Sequence, residues 1–202
     1  MATRLDLLRD QFDLTWALLE LHLDQLAPED FRWEPAAHCW TVRPGPDGGW
    51  VADFAEVEPE PIPVPTIAWT TWHLGWWWSA ALDHLRGDPP RAHQDVRWPG
   101  DGAPTTDWLR GLRTEWLAAL DRLTDADLDA TATFPWGEEA PKTVAHTAAW
   151  VNAELMKNTA ELGQLRLLRT ATTTRKGRGG GGPPAAGQGG RGAPRTGRQR
   201  GG

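Results

Sequence analysis

Four stretches of the chain place apolar residues at alternating spacings of three and four, and that recurrence limits the fold to packed helices. The first covers residues 4–26, with Leu5, Leu8, Phe12, Trp16, Leu19, Leu23 and Leu26 on one stripe, and Pro28 ends it. The second should begin at Thr66, just past Pro65, and run to about Leu85, with Ile67, Leu74, Trp78, Leu82 and Leu85 inward. Gly87 and Pro89 stop it. A third starts near Thr105 or Thr106 and carries Leu109, Leu112, Trp116, Leu120 and Leu123. Pro141 leads into a fourth, from about Lys142 to Arg169, whose seam is Val144, Ala148, Val151, Leu155, Leu162 and Leu165. Four amphipathic helices of this length predict an all-α four-helix bundle over residues 1–169.

Between the first two helices, residues 31–65 are rich in Pro, Gly and Trp and predict a long ordered loop. The first helix ends in Asp24-Gln-Leu26-Ala-Pro-Glu-Asp30-Phe31 and the third in Asp121-Arg-Leu123-Thr-Asp-Ala-Asp127-Leu128. That echo hints at a duplicated helix–loop–helix unit, although similar turn chemistry can arise independently. From Thr170 the character changes: 12 glycines occur and no aliphatic residue larger than alanine. Such a segment buries too little surface to offset its ordering entropy, so 170–202 is predicted to be a disordered Gly/Arg-rich tail.

Charge divides the chain the same way. Seven of the 21 basic residues lie in 170–202, which leaves 14 against 27 acids in the body. An acidic body does not attract nucleic acid, so any such binding would be weak and confined to the tail, whose role as a solubilising extension is the simpler reading. No run approaches the roughly 18 apolar residues of a membrane span. The opening MATRLDLLRD carries charges where a secretory signal needs an apolar run, and Cys39 is the sole cysteine. The expectation is a cytoplasmic protein without disulfides, and without a visible acid–base partner for Cys39.

Fourteen tryptophans with no tyrosine is an unusual balance. Trp76, Trp77 and Trp78 cannot all face one core, because consecutive helix positions differ by about 100°. At least one should line a cleft or an intermolecular contact. On the fourth helix, His146, Trp150, Glu154, Lys157 and Glu161 form a stripe one residue off the apolar seam. The second helix offers a matching stripe of Thr66, Thr70, His73, Trp77 and His84. Facing each other, the two would line a cleft that brings His73 toward Lys157 or Glu161. Each also has a plainer reading: a hydrogen-bonded packing histidine, a surface ion pair worth about 0.2–0.5 kcal/mol, and tryptophans that serve as packing.

The succession TIAWTTWHLGWWW and then VNAELMKNTAELGQLRLLR resembles the DinB-like superfamily of four-helix bundles, and FRWEPAAHCWTVRP looks like a loop of its actinobacterial members. The resemblance covers roughly residues 4–169. It implies a site where one histidine of the second helix and an HxxxH pair of the fourth meet a divalent metal such as zinc, nickel or iron. His73 falls on the first position, and Lys157 and Glu161 fall on the pair. Glu161 retains a carboxylate ligand, but an exposed ammonium at Lys157 has no free lone pair. Glu154 or His146 would have to supply a third ligand from outside the family's position. The departure favours a metal-free site in which the Lys157–Glu161 pair replaces the metal's charge, with no resident cofactor.

Two functions follow from the resemblance. One is a domain with a degenerate metal site that binds a small molecule or a partner between the second and fourth helices, using Trp77, Trp150, Glu154 and Lys157. The other is a divalent-metal-dependent thiol S-transferase or isomerase using a low-molecular-weight thiol such as mycothiol. Family members also pair through bundle surfaces, and exposed tryptophans would suit a homodimer.

Overall fold

The computed structural model describes residues 2–178 and shows the expected helical bundle. Its long helices are α1 (Arg4–Leu23), α3 (Ile67–Arg86), α4 (Ala103–Leu120) and α5 (Val144–Arg178). A single turn, α2 (Pro28–Phe31), follows α1. The first helix therefore stops three residues before Leu26. Asp24 caps it, and Asp30 Oδ2 then accepts from the Ala27 N–H at 3.0 Å to start the next turn.

Contacts between side chains fix the direction of each helix. Asn152 on α5 donates to the Leu8 carbonyl at 2.9 Å and Arg166 donates to Gln25 at 2.8 Å, so α1 and α5 run parallel. Arg113 pairs with Asp13 at 3.3 Å, and Arg9 with Asp121, so α4 runs antiparallel to α1. Arg86 pairs with Glu115 at 2.6 Å, and Gly75 lies against the Trp108 ring, so α3 and α4 run together. The bundle is up-down-down-up, and α3 lies antiparallel to α5. Phe12, Trp78 and Trp116 are fully buried at its centre, with Phe12 and Trp78 edge to face at 5.7 Å.

Helix ends follow local chemistry. Thr66 caps α3 by accepting from the Trp69 N–H at 3.2 Å, and Gly87 ends it in the left-handed region at φ +80°. The third long helix starts at Ala103, before Thr105. Thr105 is buried and donates instead to the Gly100 carbonyl at 2.6 Å, while Gly102 occupies the cap. The fourth starts at Val144 and continues to Arg178, nine residues past the boundary expected at 169. Thr170–Lys176 contains no glycine or proline, so nothing breaks the turn pattern until Gly177. Residues 179–202, the greater part of the tail expected to be disordered, lie outside the described residues.

The Pro/Trp-rich segment is ordered by short pairings. Strand β1 (Cys39–Trp40) pairs in parallel with β4 (Val64–Pro65), and β2 (Val42–Pro44) pairs antiparallel with β3 (Trp50–Ala52). Indole N–H groups tie α3 to the flanking segments. Trp69 donates to the Asp53 carbonyl at 2.7 Å and Trp72 to the Val96 carbonyl at 2.9 Å. A buried indole nitrogen needs a partner, and here the loop backbone supplies it. A third pairing, β5 (Thr131–Ala132) with β6 (Lys142–Thr143), holds the loop before α5.

The sequence echo has a structural counterpart. Asp127 Oδ2 accepts from the Thr124 N–H at 2.7 Å, as Asp30 does from Ala27, and the residue after each aspartate (Leu128, Phe31) is fully buried. The loops close against opposite helix starts: Arg32 bonds Asp101 at 2.9 Å and Asp129 accepts from Arg4 at 2.7 Å.

Candidate functional site

The antiparallel contact of α3 with α5 opens on one side into a cleft of about 430 Å³. His73, Trp76, Trp77 and Ala80 form its α3 wall, and Trp150, Glu154 and Lys157 form its α5 wall. Phe134 and Pro135, from the loop ahead of α5, close one end. All four residues proposed as binding groups, Trp77, Trp150, Glu154 and Lys157, thus meet in one cavity with His73. Its volume falls within the roughly 300–1,000 Å³ of small-molecule sites.

Aromatic contacts set the shape. The Trp77 and Trp150 rings meet edge to face with centroids 5.4 Å apart, and Phe134 meets Trp150 in the same way at 5.4 Å. Trp77 also donates its N–H to Asn158 Oδ1 at 3.0 Å, which fixes the ring across the helix interface. Of the three consecutive tryptophans, Trp76 and Trp77 line the cleft, while Trp78 is fully buried in the core.

His73 stacks on Trp69, one helical turn back, with rings 5.0 Å apart and nearly parallel at 7°. Its Nδ1 is buried and has no hydrogen-bond partner. Burial, reinforced by the nearby Lys157 ammonium, pushes its pKa down to about 4. At neutral pH the imidazole is uncharged.

Lys157 lies between two carboxylates of its own helix, 3.6 Å from Glu154 and 3.6 Å from Glu161. The expected ion pair with Glu161 is therefore shared. Glu161 Oε2 also accepts from the Asn158 amide at 3.0 Å, and Glu161 does not line the cleft. The remaining stripe residues go elsewhere. His146 is exposed and bonds Thr143 at 2.8 Å, Thr66 and Thr70 are buried, and His84 packs toward Phe134 at 6.2 Å.

A metal set of His73, Lys157 and Glu161 fits poorly. Both Glu161 oxygens are engaged along the helix, and Lys157 contributes an ammonium without a lone pair. Among the described residues, no group of three or more His, Cys, Asp or Glu side chains is placed to hold a metal ion. Catalytic zinc sites ordinarily use three such protein ligands.

Sequence periodicity missed Phe134 and Pro135, which lie in a loop and carry no helical spacing. The exposed tryptophans expected, from the family resemblance and aromatic enrichment at interfaces, to suit a dimer are not found. None of the tryptophans is exposed, and the large exposed apolar residues of the helices are leucines and Met156. No helix among the described residues is long and apolar enough to cross a membrane.

The model of the DinB superfamily matches residues 11–162 of the sequence. Among solved structures, a conserved protein from Enterococcus faecalis is similar over 83% of this chain and 98% of that chain, with 12% identity and a TM-score of 0.56. At that identity the likeness shows the fold. No curated protein matches the sequence significantly. The family match spans most of the chain and all but the ends of the bundle, and the chain belongs to the DinB superfamily.

Proposed function

We propose that the chain binds a small, flat organic molecule in the cleft between α3 and α5, without a metal. The observation that carries this reading is the convergence of Trp76, Trp77, Phe134 and Trp150 on one cavity with one charged corner, Glu154 and Lys157. Apolar walls with a few placed polar groups are the ordinary composition of a ligand site. The indole and phenyl edges and faces would hold an aromatic or alicyclic ring and exclude water from it. Lys157 would donate to an acceptor on the ligand, and Glu154 would accept from a donor. Neutral His73 would supply a polar wall that carries no charge above about pH 4.

The alternative inherited from family resemblance, a divalent-metal-dependent thiol S-transferase or isomerase, has less support. It needs a third conventional ligand beside His73 and Glu161, and Glu161 is turned toward Asn158. The cleft chemistry is tested with three probes of one shape and different charge: 1-naphthol, 1-naphthoate and 1-naphthylmethylamine. Calorimetric titration should detect saturable binding of at least one probe, at least tenfold weaker in Trp150→Ala, a loss of about 1.4 kcal/mol. Saturable binding left unchanged by Trp150→Ala would place the ligand elsewhere.

A further inference from the structure

His73 and Trp76 also line a second, smaller cavity of about 170 Å³, where the Pro/Trp-rich loop packs on α3. Trp69, His73 and Trp76 recur at spacings of four and three, so they share one face of that helix. Strand β1 brings Trp40 to the start of α3, because the Thr66 N–H donates to the Trp40 carbonyl at 2.9 Å. The Trp40 and Trp69 rings then lie with centroids 5.4 Å apart. Phe54 comes from the loop, meets Trp76 edge to face at 5.9 Å and stacks on His93 at 3.7 Å.

Three properties of this cavity select an occupant. First, its aromatic walls offer carbon surface in place of donors. The Trp69 N–H is engaged by the Asp53 carbonyl at 2.7 Å, and the Trp76 N–H by the Arg91 carbonyl at 3.2 Å. Second, its only charged lining residue is Glu58, which is exposed. The chain carries no lysine or arginine between Arg43 and Arg86. Arg43 pairs with Asp53 at 2.9 Å and Arg91 with Asp83 at 2.6 Å, so both flanking guanidiniums have partners. Lys157 lines the cleft but not this cavity, and His73 is uncharged at neutral pH. Third, the volume lies below the roughly 300–1,000 Å³ of drug-sized sites, which suits a compact head group.

We propose that this cavity is a second binding site, selective for a small organic cation with a methylated ammonium head group. Ring faces attract a cation through their quadrupole, and indole does so best. Three tryptophans and Phe54 supply the rings here, and the Glu58 carboxylate supplies the opposite charge. Methylation matters because a bare ammonium would bring N–H groups into walls that offer them no acceptor. An anion would meet Glu58 and the negative ring faces with no cation to hold it. Trp40, Phe54 and Glu58 do not line the cleft, so this site does not depend on what the cleft binds.

Choline and its uncharged carbon isostere, 3,3-dimethylbutan-1-ol, share one shape and each give a single methyl resonance. The width of that resonance, titrated against the full chain, reads binding of either probe. Choline should bind saturably at millimolar concentration, at least tenfold more tightly than the isostere. Glu58→Lys, at an exposed loop position, should weaken choline at least tenfold with the helical circular dichroism intact. Trp40→Leu should weaken it as much. Equal affinity for the two probes overturns the proposal, as does choline that never saturates. Choline binding that survives Glu58→Lys overturns it too; if Trp150→Ala abolishes that binding instead, the cation sits beside Glu154 in the cleft.

Discussion

The indole N–H of Trp77 donates to the side-chain carbonyl of Asn158 at 3.0 Å, and this buried bond joins α3 to α5 directly beneath the cleft. Asn158 is 1% exposed, and its amide passes the contact on to Glu161 at 3.0 Å. One residue thus orients a cleft wall and engages Glu161, which does not line the cleft. Asn158→Leu leaves the Trp77 N–H buried without a partner, so stability should fall by about 1–3 kcal/mol. Urea denaturation followed by circular dichroism measures it, and an unchanged midpoint would show that this bond contributes nothing net.

Helix α3 approaches α4 most closely at Gly75, where an added Cβ would overlap the Trp108 ring. Gly75→Ala gains up to about 1 kcal/mol of helix propensity, but the overlap should cost about 1–3 kcal/mol. A net loss is expected, because the obstacle is a large ring held in a packed interface. The control is Gly111→Ala, where a Cβ meets nothing within 4 Å and the propensity gain should appear as a raised midpoint.

His73 gives the protein a pH dependence of defined sign. Its folded pKa, about 4, lies below the ordinary histidine value of 6.5, so between those values the unfolded chain binds more protons. Stability should therefore be full above pH 6.5 and fall as pH drops toward 4, by about 2–3 kcal/mol for this group. His22 and His84 are also lowered by burial and add to the slope in the same direction. His73→Gln should remove only its own share. Urea midpoints at pH 7 and pH 4.5 for both proteins give the comparison, and equal slopes would contradict burial of an uncharged imidazole.

The bundle was legible in the sequence because its signals are periodic. Phe12, Trp16, Leu19 and Leu23 on α1, and Val151, Leu155 and Leu162 on α5, are buried as their spacing requires. The cleft stripe was legible for the same reason: Trp77, Trp150, Glu154 and Lys157 each lie one residue off a core position. Glu161 has that spacing too, yet Asn158 draws it along the helix, and a lateral hydrogen bond leaves no periodic trace. Phe134 and Pro135 reach the cleft through a loop fixed by the β5–β6 pairing.

Lys157 tests how far the site stands from a metal centre. Lys157→His would put a second imidazole one turn from Glu161 and across from His73. If the helix geometry suits a metal, zinc affinity measured by competition with a chromogenic chelator should rise at least tenfold over wild type. No gain would show that the Asn158–Glu161 contact keeps the third donor away even when the second is supplied.

Calorimetry of the naphthyl probes asks whether the cleft holds a flat organic molecule without a metal. Titrations of metal-stripped wild type, Trp150→Ala and Lys157→Met should be run side by side. The stripped wild type should bind one probe saturably and one-to-one, at least tenfold more weakly in Trp150→Ala, with Lys157→Met changing which probe charge is preferred. Absence of binding by all three probes, or binding that appears only when a divalent metal is added back, would contradict the proposed function.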